Sequence, residues 1–197
     1  MRCDLCKEKP CGEGTPCSVC DASALYAESE EHRVMRAASE VEAEYYGEKN
    51  RIEEIIIFAQ KMGYKKIGVA FCKAFSEEAE KLCAVLSKYF EIETVNCKVC
   101  GIPKAEIGAM ESDRIGKISC NPIEQAKVLE AAGTELNLVL GLCVGHDALF
   151  LKHSHCLAVP VAVKDRVMAH NPMGALYCSA IYKRMLKKAC KDNECDD

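Results

Sequence analysis

Cysteine is the residue whose number and spacing speak to chemistry in this chain, which holds fifteen in 197 residues. Thiolates are nucleophiles and soft metal ligands, so where they fall decides what they can do. The first 21 residues, MRCDLCKEKPCGEGTPCSVCD, carry Cys3, Cys6, Cys11, Cys17 and Cys20 among Gly, Pro and charged residues. Almost nothing there can form an apolar core, so a metal or cross-links would have to order the segment. Cys3, Cys6, Cys17 and Cys20 are the set for a tetrahedral zinc site built from two Cys-x2-Cys pairs. Cys3, Cys6, Cys11 and Cys17 are the alternative set for an iron-sulfur cluster, although neither spacing matches the ferredoxin runs. The segment is read as metal-binding, with iron-sulfur ahead of zinc.

The other informative cysteines must be placed by the elements around them. Residues 23–46 read as a polar helix with a broken apolar stripe, ended by Gly47, and residues 51–62 as a second helix that stops at Gly63. Lys66 to Cys72 is a short apolar run of the buried parallel-strand type, followed by a helix opening at Ser76 and running to Tyr89. A second strand is expected at 91–96. After a variable stretch, Asn121-Pro122-Ile123-Glu124 opens a helix with Asn as cap and Pro at the first position. Further strands are expected at 136–141 and 157–163, with a short helix through Lys152 between them and a last helix from Asn171-Pro172 to Ala189. This alternation predicts an α/β fold: a Rossmann-like, mostly parallel sheet of about four strands flanked by helices. The expected organisation is a Cys-rich metal-binding segment at 1–21, followed by a helix and the α/β domain at 22–197.

In such a sheet, ligands bind outside the carboxyl ends of the strands. Cys72 ends the first strand, Cys97 and Cys100 follow the second, Cys143 follows the third, and Cys120 precedes a helix whose N-terminus faces the same edge. Five thiols therefore share a destination. A [4Fe-4S] cluster usually takes four Cys thiolates. Cys97, Cys100, Cys120 and Cys143 make one set, with Cys72 as a replacement or a fifth, non-ligating thiol. With only three ligands, an iron is left to accept a substrate atom. Cys83, Cys156 and Cys178 lie in apolar or helical contexts and read as packing residues. Cys190 and Cys195 have no assigned role.

Polar groups at the same edge are candidate catalytic residues: His146, Lys164, Asp165 and Arg166. Arg and Lys there suit an anionic group. His170 and Asn171 lie nearby, Asn171 reading as a helix cap before Pro172. His153 and His155 read as surface residues. Gly141-Leu142-Cys143-Val144-Gly145 superficially resembles a nucleophile elbow, which leaves a Cys143–His146 nucleophile as a rival to metal.

A net charge of −4 and no basic stripe argue against nucleic acid, leaving a small molecule or a protein redox partner. No apolar run is long enough to span a bilayer and the N-terminus has no signal-peptide pattern, so a cytoplasmic location is expected. Many cysteines in a reducing compartment favour ligation or redox chemistry over disulfides. The sequence contains no GxxxxGK[ST], GxGxxG, HExxH or GxSxG motif, which removes the common NTPase, dinucleotide, zinc-protease and serine-hydrolase readings.

The Cys-rich N-terminus, Ile-Gly-Val-Ala-Phe-Cys72, Cys97-Lys-Val-Cys100-Gly-Ile, Cys120-Asn-Pro-Ile, Gly-Leu-Cys143-Val-Gly-His146-Asp147 and Val-Lys164-Asp165-Arg166-Val together resemble a cysteine-rich metal-binding protein family of archaea and anaerobic bacteria. The resemblance covers nearly the whole chain and implies a cytosolic metal-binding protein from an anaerobic lifestyle; it brings no established activity. Three functions are expected to compete. The first is cluster-dependent enzymatic chemistry of the Lewis-acid or sulfur-transfer kind, as in a lyase or sulfur transferase. The second is a redox, electron-transfer or redox-sensing module, and the third a zinc-stabilised binding protein without catalysis.

Overall fold

The computed structural model describes residues 2–16, 23–27 and 29–189. Cys17, Cys20, Cys190 and Cys195 lie outside the described residues. Internal contacts divide the chain into two units, Met1–Glu48 and Lys49–Asp197.

In the first unit, short 3-10 turns at Cys3–Leu5 and Pro10–Glu13 bury no side chain. The polar helix is shorter than its sequence pattern. Ser23–Tyr26 forms a separate 3-10 turn and α1 spans Glu30–Tyr45. Its start is set at Ser29, whose Oγ accepts the His32 N–H at 3.3 Å, with Glu30 and Glu31 in the first turn opposite the positive end of the helix dipole.

The second unit opens with α2, Arg51–Met62. Asn50 Oδ1 accepts the N–H groups of Ile52 and Glu53, and the Glu53 carboxylate accepts the Asn50 N–H in return. This capping box fixes the start, and Gly63 at φ +79° closes the end. The elements then alternate: β1 Lys66–Phe71, α3 Ser76–Leu86, β2 Glu91–Asn96, α4 Pro122–Ala131, β3 Leu136–Leu140, α5 His146–His153 and β4 Ala158–Ala162. All four strands are parallel, in the order β2-β1-β3-β4. β3 is buried along its whole length, as a strand covered on both faces must be. β4 lies at the edge, where Pro160 costs no central ladder bond, and a register shift stands beside it. The α/β fold with a four-stranded parallel sheet is as the sequence pattern predicts.

Two further differences have local causes. The expected last helix is broken into α6, Met173–Tyr177, and α7, Ser179–Ala189, because Cys178 adopts an extended ψ of 100°. α3 ends at Leu86 rather than Tyr89, where a tight turn directs the chain into β2.

The strand order places β1 between β2 and β3, so successive connections leave the carboxyl edge in opposite directions and a crevice opens between the ends of β1 and β3. Gln125 of α4, fully buried, reinforces this edge. Its Nε2 donates to Val95 O at 3.0 Å and Phe71 O at 3.3 Å, near the ends of β2 and β1. No helix among the described residues is long and apolar enough to cross a membrane.

Candidate metal centre

Cys72 follows β1 directly and Cys97 follows β2; both are buried, Cys97 to 1% exposure. Cys120 precedes the Asn121 cap of α4, where Asn121 Oδ1 accepts the Glu124 N–H. Asn121 N–H donates to Cys97 O at 2.9 Å, tying the loops of Cys97 and Cys120 together. Cys143 sits in the turn between β3 and α5, and its carbonyl accepts the N–H groups of His146 and Asp147. All four cysteines line one cavity of about 780 Å³ at the carboxyl edge of the sheet.

Gly141 makes the Cys143 loop possible. Its φ is +63°, and a Cβ there would stand 2.4–2.7 Å from the Phe75 ring. Left-handed backbone and steric overlap both penalise a side chain, so Gly141→Ala is expected to cost about 2–4 kcal/mol of stability. Urea unfolding measures it; a loss below 0.5 kcal/mol, on the order of an ordinary surface change, would show that the loop adapts without strain.

Each of the four sulfurs has a different donor or cation beside it. Lys164 Nζ donates to Cys72 Sγ at 3.3 Å, the Lys73 N–H to Cys97 Sγ at 3.4 Å, and Arg166 Nη2 to Cys143 Sγ at 3.3 Å; the Lys98 ammonium, which donates to Ile118 O at 2.7 Å, brings its charge close to Cys120. The thiols also form a chain in which Cys72 donates to Cys97 and Cys97 to Cys120. Donating toward Cys97, and partly buried, holds the Cys72 thiol up at about 12. Accepting from Cys97, with the Lys98 ammonium alongside, brings Cys120 down to about 6. Negative charge is thus favoured on Cys120 and disfavoured on Cys72 and Cys97.

Of the five strand-edge thiols expected to converge, Cys100 stands apart. It is exposed at φ +65° in the turn after β2 and does not line the cavity. Cys83, Cys156 and Cys178 are half-buried away from the cavity. Cys3, Cys6 and Cys11 are exposed in their own unit. Among the described residues, no three His, Cys, Asp or Glu side chains are drawn together as ligands of a single metal ion are.

The expected polar residues take different places. His146 lines the cavity, where burial and then the nearby Lys98 charge lower its pKa and favour the neutral ring. Arg166 lines it too. Lys164 lies 4.2 Å above the Phe75 ring, between that ring and Cys72. Asp165 shapes the turn: its carboxylate accepts the N–H groups of Val167 and Met168, which lower its pKa, and its own N–H donates to His170 Nδ1. His170 packs on Phe75 with ring centroids 4.6 Å apart.

The sequence reading missed Lys73, Lys98, Lys104 and Arg114, all of which line the cavity. Lys73 and Lys98 follow Cys72 and Cys97 directly, a signal that was available. Arg114 was not foreseeable, because its placement depends on how residues 102–119 fold back. Lys104 N–H bonds Lys117 O, Ser119 N–H bonds Ile102 O, and the Lys104 ammonium, 7% exposed, donates to Gly116 O at 2.6 Å.

The family described as protein of unknown function (DUF1847) matches residues 13–161, a span that includes all four cavity cysteines and His146 and ends before Lys164 and Arg166. The chain is 41% identical to the uncharacterized protein MJ0455 of Methanocaldococcus jannaschii over 191 residues, covering 95% of this chain and 99% of that one. No solved structure matches the chain.

Proposed function

The chain belongs to the DUF1847 family, and from that premise and the strand-edge geometry we propose that it is an iron-sulfur protein holding a [4Fe-4S] cluster on Cys72, Cys97, Cys120 and Cys143. The observation that carries this reading is the convergence of four thiols on one cavity, each sulfur with its own N–H donor or nearby cation. Hydrogen bonds to ligand sulfurs are how proteins tune clusters, and charge at the site is set by the same groups.

When bound, the cluster would supply electrons or a sulfur or Lewis-acid centre at the cavity wall. The chain's own residues do the rest. Lys164, Lys98 and Arg166 offset thiolate charge, Phe75 and His170 hold Lys164 in place, and a neutral His146 in the cavity can accept a proton. This arrangement supports cluster-dependent enzymatic chemistry ahead of a purely structural site, since a structural cluster needs no cavity beside it. A redox or electron-transfer module is the second reading. A second metal site on Cys3, Cys6, Cys17 and one of Cys11 or Cys20 completes the proposal, with zinc as its alternative occupant; the exposure of Cys3, Cys6 and Cys11 leaves them open to ligation.

The test is iron, zinc and acid-labile sulfide content, with EPR after reduction, on protein purified without oxygen. About four irons with matching sulfide per strand-edge site is the expected result, and a further four if the N-terminal segment also holds a cluster. Zinc without sulfide, or neither metal, overturns the reading.

A further inference from the structure

The cavity is larger and more positive than the thiols require. Its lining includes Lys73, Lys98, Lys104, Arg114 and Arg166 and no Asp or Glu. Lys98 and Arg166 already serve sulfurs, and Lys104 ties down the loop through backbone carbonyls. That leaves Lys73 and Arg114 among the lining residues, with no carboxylate beside them in the lining to neutralise their charge. A [4Fe-4S] cluster on four thiolates carries two negative charges in its oxidised form, fewer than the cations around it, so the cavity stays positive with or without a cluster. Cations gathered in a concave site without a carboxylate make a positive potential that attracts an anion.

Ala74, Ala109, Met110 and Ile115 supply the remaining walls. At about 780 Å³ the space lies in the range that takes a metabolite-sized molecule. Residues 102–119 contribute both kinds of wall, Met110 and Ile115 apolar and Arg114 charged, and the Lys104–Gly116 bond locks that loop over the strand ends.

We infer that this cavity binds a small organic anion, a carboxylate or phosphate with an apolar body, whose charged end is held by Arg114 and Lys73 and whose body lies against Met110 and Ile115 within reach of the strand-edge sulfurs. Arg114 is the specificity-determining residue, because its planar fork matches a carboxylate or phosphate with two hydrogen bonds. The inference rests on the reading of this cavity as the functional site, and its readout is separate from metal content.

The experiment uses the full chain, once as purified without oxygen and once after chelator treatment, with hexanoate, hexyl phosphate and the uncharged hexanol as probes. Isothermal titration should show saturable binding of one or both anions in each preparation, weakening as salt is raised, and no saturable binding of hexanol. Preference between hexanoate and hexyl phosphate then distinguishes the two kinds of anion. Arg114→Ala should weaken the preferred anion at least tenfold and Arg114→Glu abolish it, while Lys127→Ala, an exposed cation of α4 outside the cavity, changes nothing. Because Arg114 is exposed, its variants should keep the wild-type melting temperature. Absence of saturable anion binding, equal binding of hexanol, or equal loss in Lys127→Ala overturns the inference. Iron and sulfide present without anion binding sinks this inference alone; anion binding to a chain that never carries iron sinks only the cluster.

Discussion

If the α/β unit holds the proposed cluster, Cys97→Ser, Cys120→Ser and Cys143→Ser are each expected to remove its iron, whereas Cys83→Ser and Cys100→Ser should leave it bound. The contrast follows from placement. Cys97, Cys120 and Cys143 line the cavity with donors on their sulfurs, Cys83 lies on α3, and Cys100 stands exposed in a left-handed turn off the cavity. Serine keeps the volume but is a poor ligand for iron at neutral pH, and with one of four anchors gone a cluster loses both a bond and the folding energy coupled to it. The unit has its own apolar core built around β1 and β3, so the variants should stay folded, and metal content can be compared on equal terms. Arg166→Ala and Lys164→Ala act more weakly, by about 10- to 100-fold in metal affinity, the usual cost of deleting a group that hydrogen-bonds a ligand. Metal analysis of the seven variants, with circular dichroism as the folding control, decides the ligand set. Iron retained in Cys143→Ser but lost in Cys100→Ser would move the site to the Cys97–Cys100 turn.

The strands and the edge of the sheet were legible because buried parallel strands write themselves as short Val/Ile/Leu runs and because Asn121-Pro122 and Gly63 are unambiguous helix punctuation. Cys72, Cys120 and Cys143 could be assigned to one place by topology alone, since each adjoins an element end on the same edge. Cys100 shows the limit of that logic. Four residues past a strand, the chain has already turned, and whether a side chain faces the cavity depends on a φ of +65° that no residue type at 100 announces. The break at Cys178 and the return of residues 102–119 were hidden for a related reason. The latter is fixed by a lysine reaching carbonyls twelve residues away, a long-range bond with no local pattern. Lys98, inside a Cys-x2-Cys pair, drew no role from the sequence, yet together with the Cys97 contact, the larger cause, it lowers the Cys120 thiol.

That lowering makes the metal-free chain unusually selective toward electrophiles. With Cys120 at about 6 and Cys72 at about 12, Cys120 is roughly nine-tenths thiolate at pH 7 and Cys72 about one part in 10⁵, a ratio near 10⁵. A thiolate of lower pKa is intrinsically less nucleophilic, by about 0.4–0.5 log unit per pKa unit. Six units therefore return between two and three powers of ten and leave Cys120 ahead by about a hundredfold. Pulse labelling with iodoacetamide after metal removal, read by peptide mass spectrometry with glutathione as reference thiol, should give Cys120 an alkylation midpoint near pH 6. Lys98→Ala and Cys97→Ala should each move that midpoint upward. The stability consequence has a definite sign. Cys120, lowered on folding, contributes stability in full above the unfolded thiol value of 9.0 and loses it as pH falls through about 6, whereas Cys72, raised on folding, contributes in full below that value and loses it only as pH rises through about 12. Between pH 6 and 9 Cys72 is therefore constant and the urea midpoint of the metal-free chain should climb because of Cys120, with a shallower climb in Lys98→Ala. A Cys120 midpoint equal to that of glutathione, together with a flat urea profile, would mean that the Cys97 and Lys98 contacts do not hold a thiolate in solution.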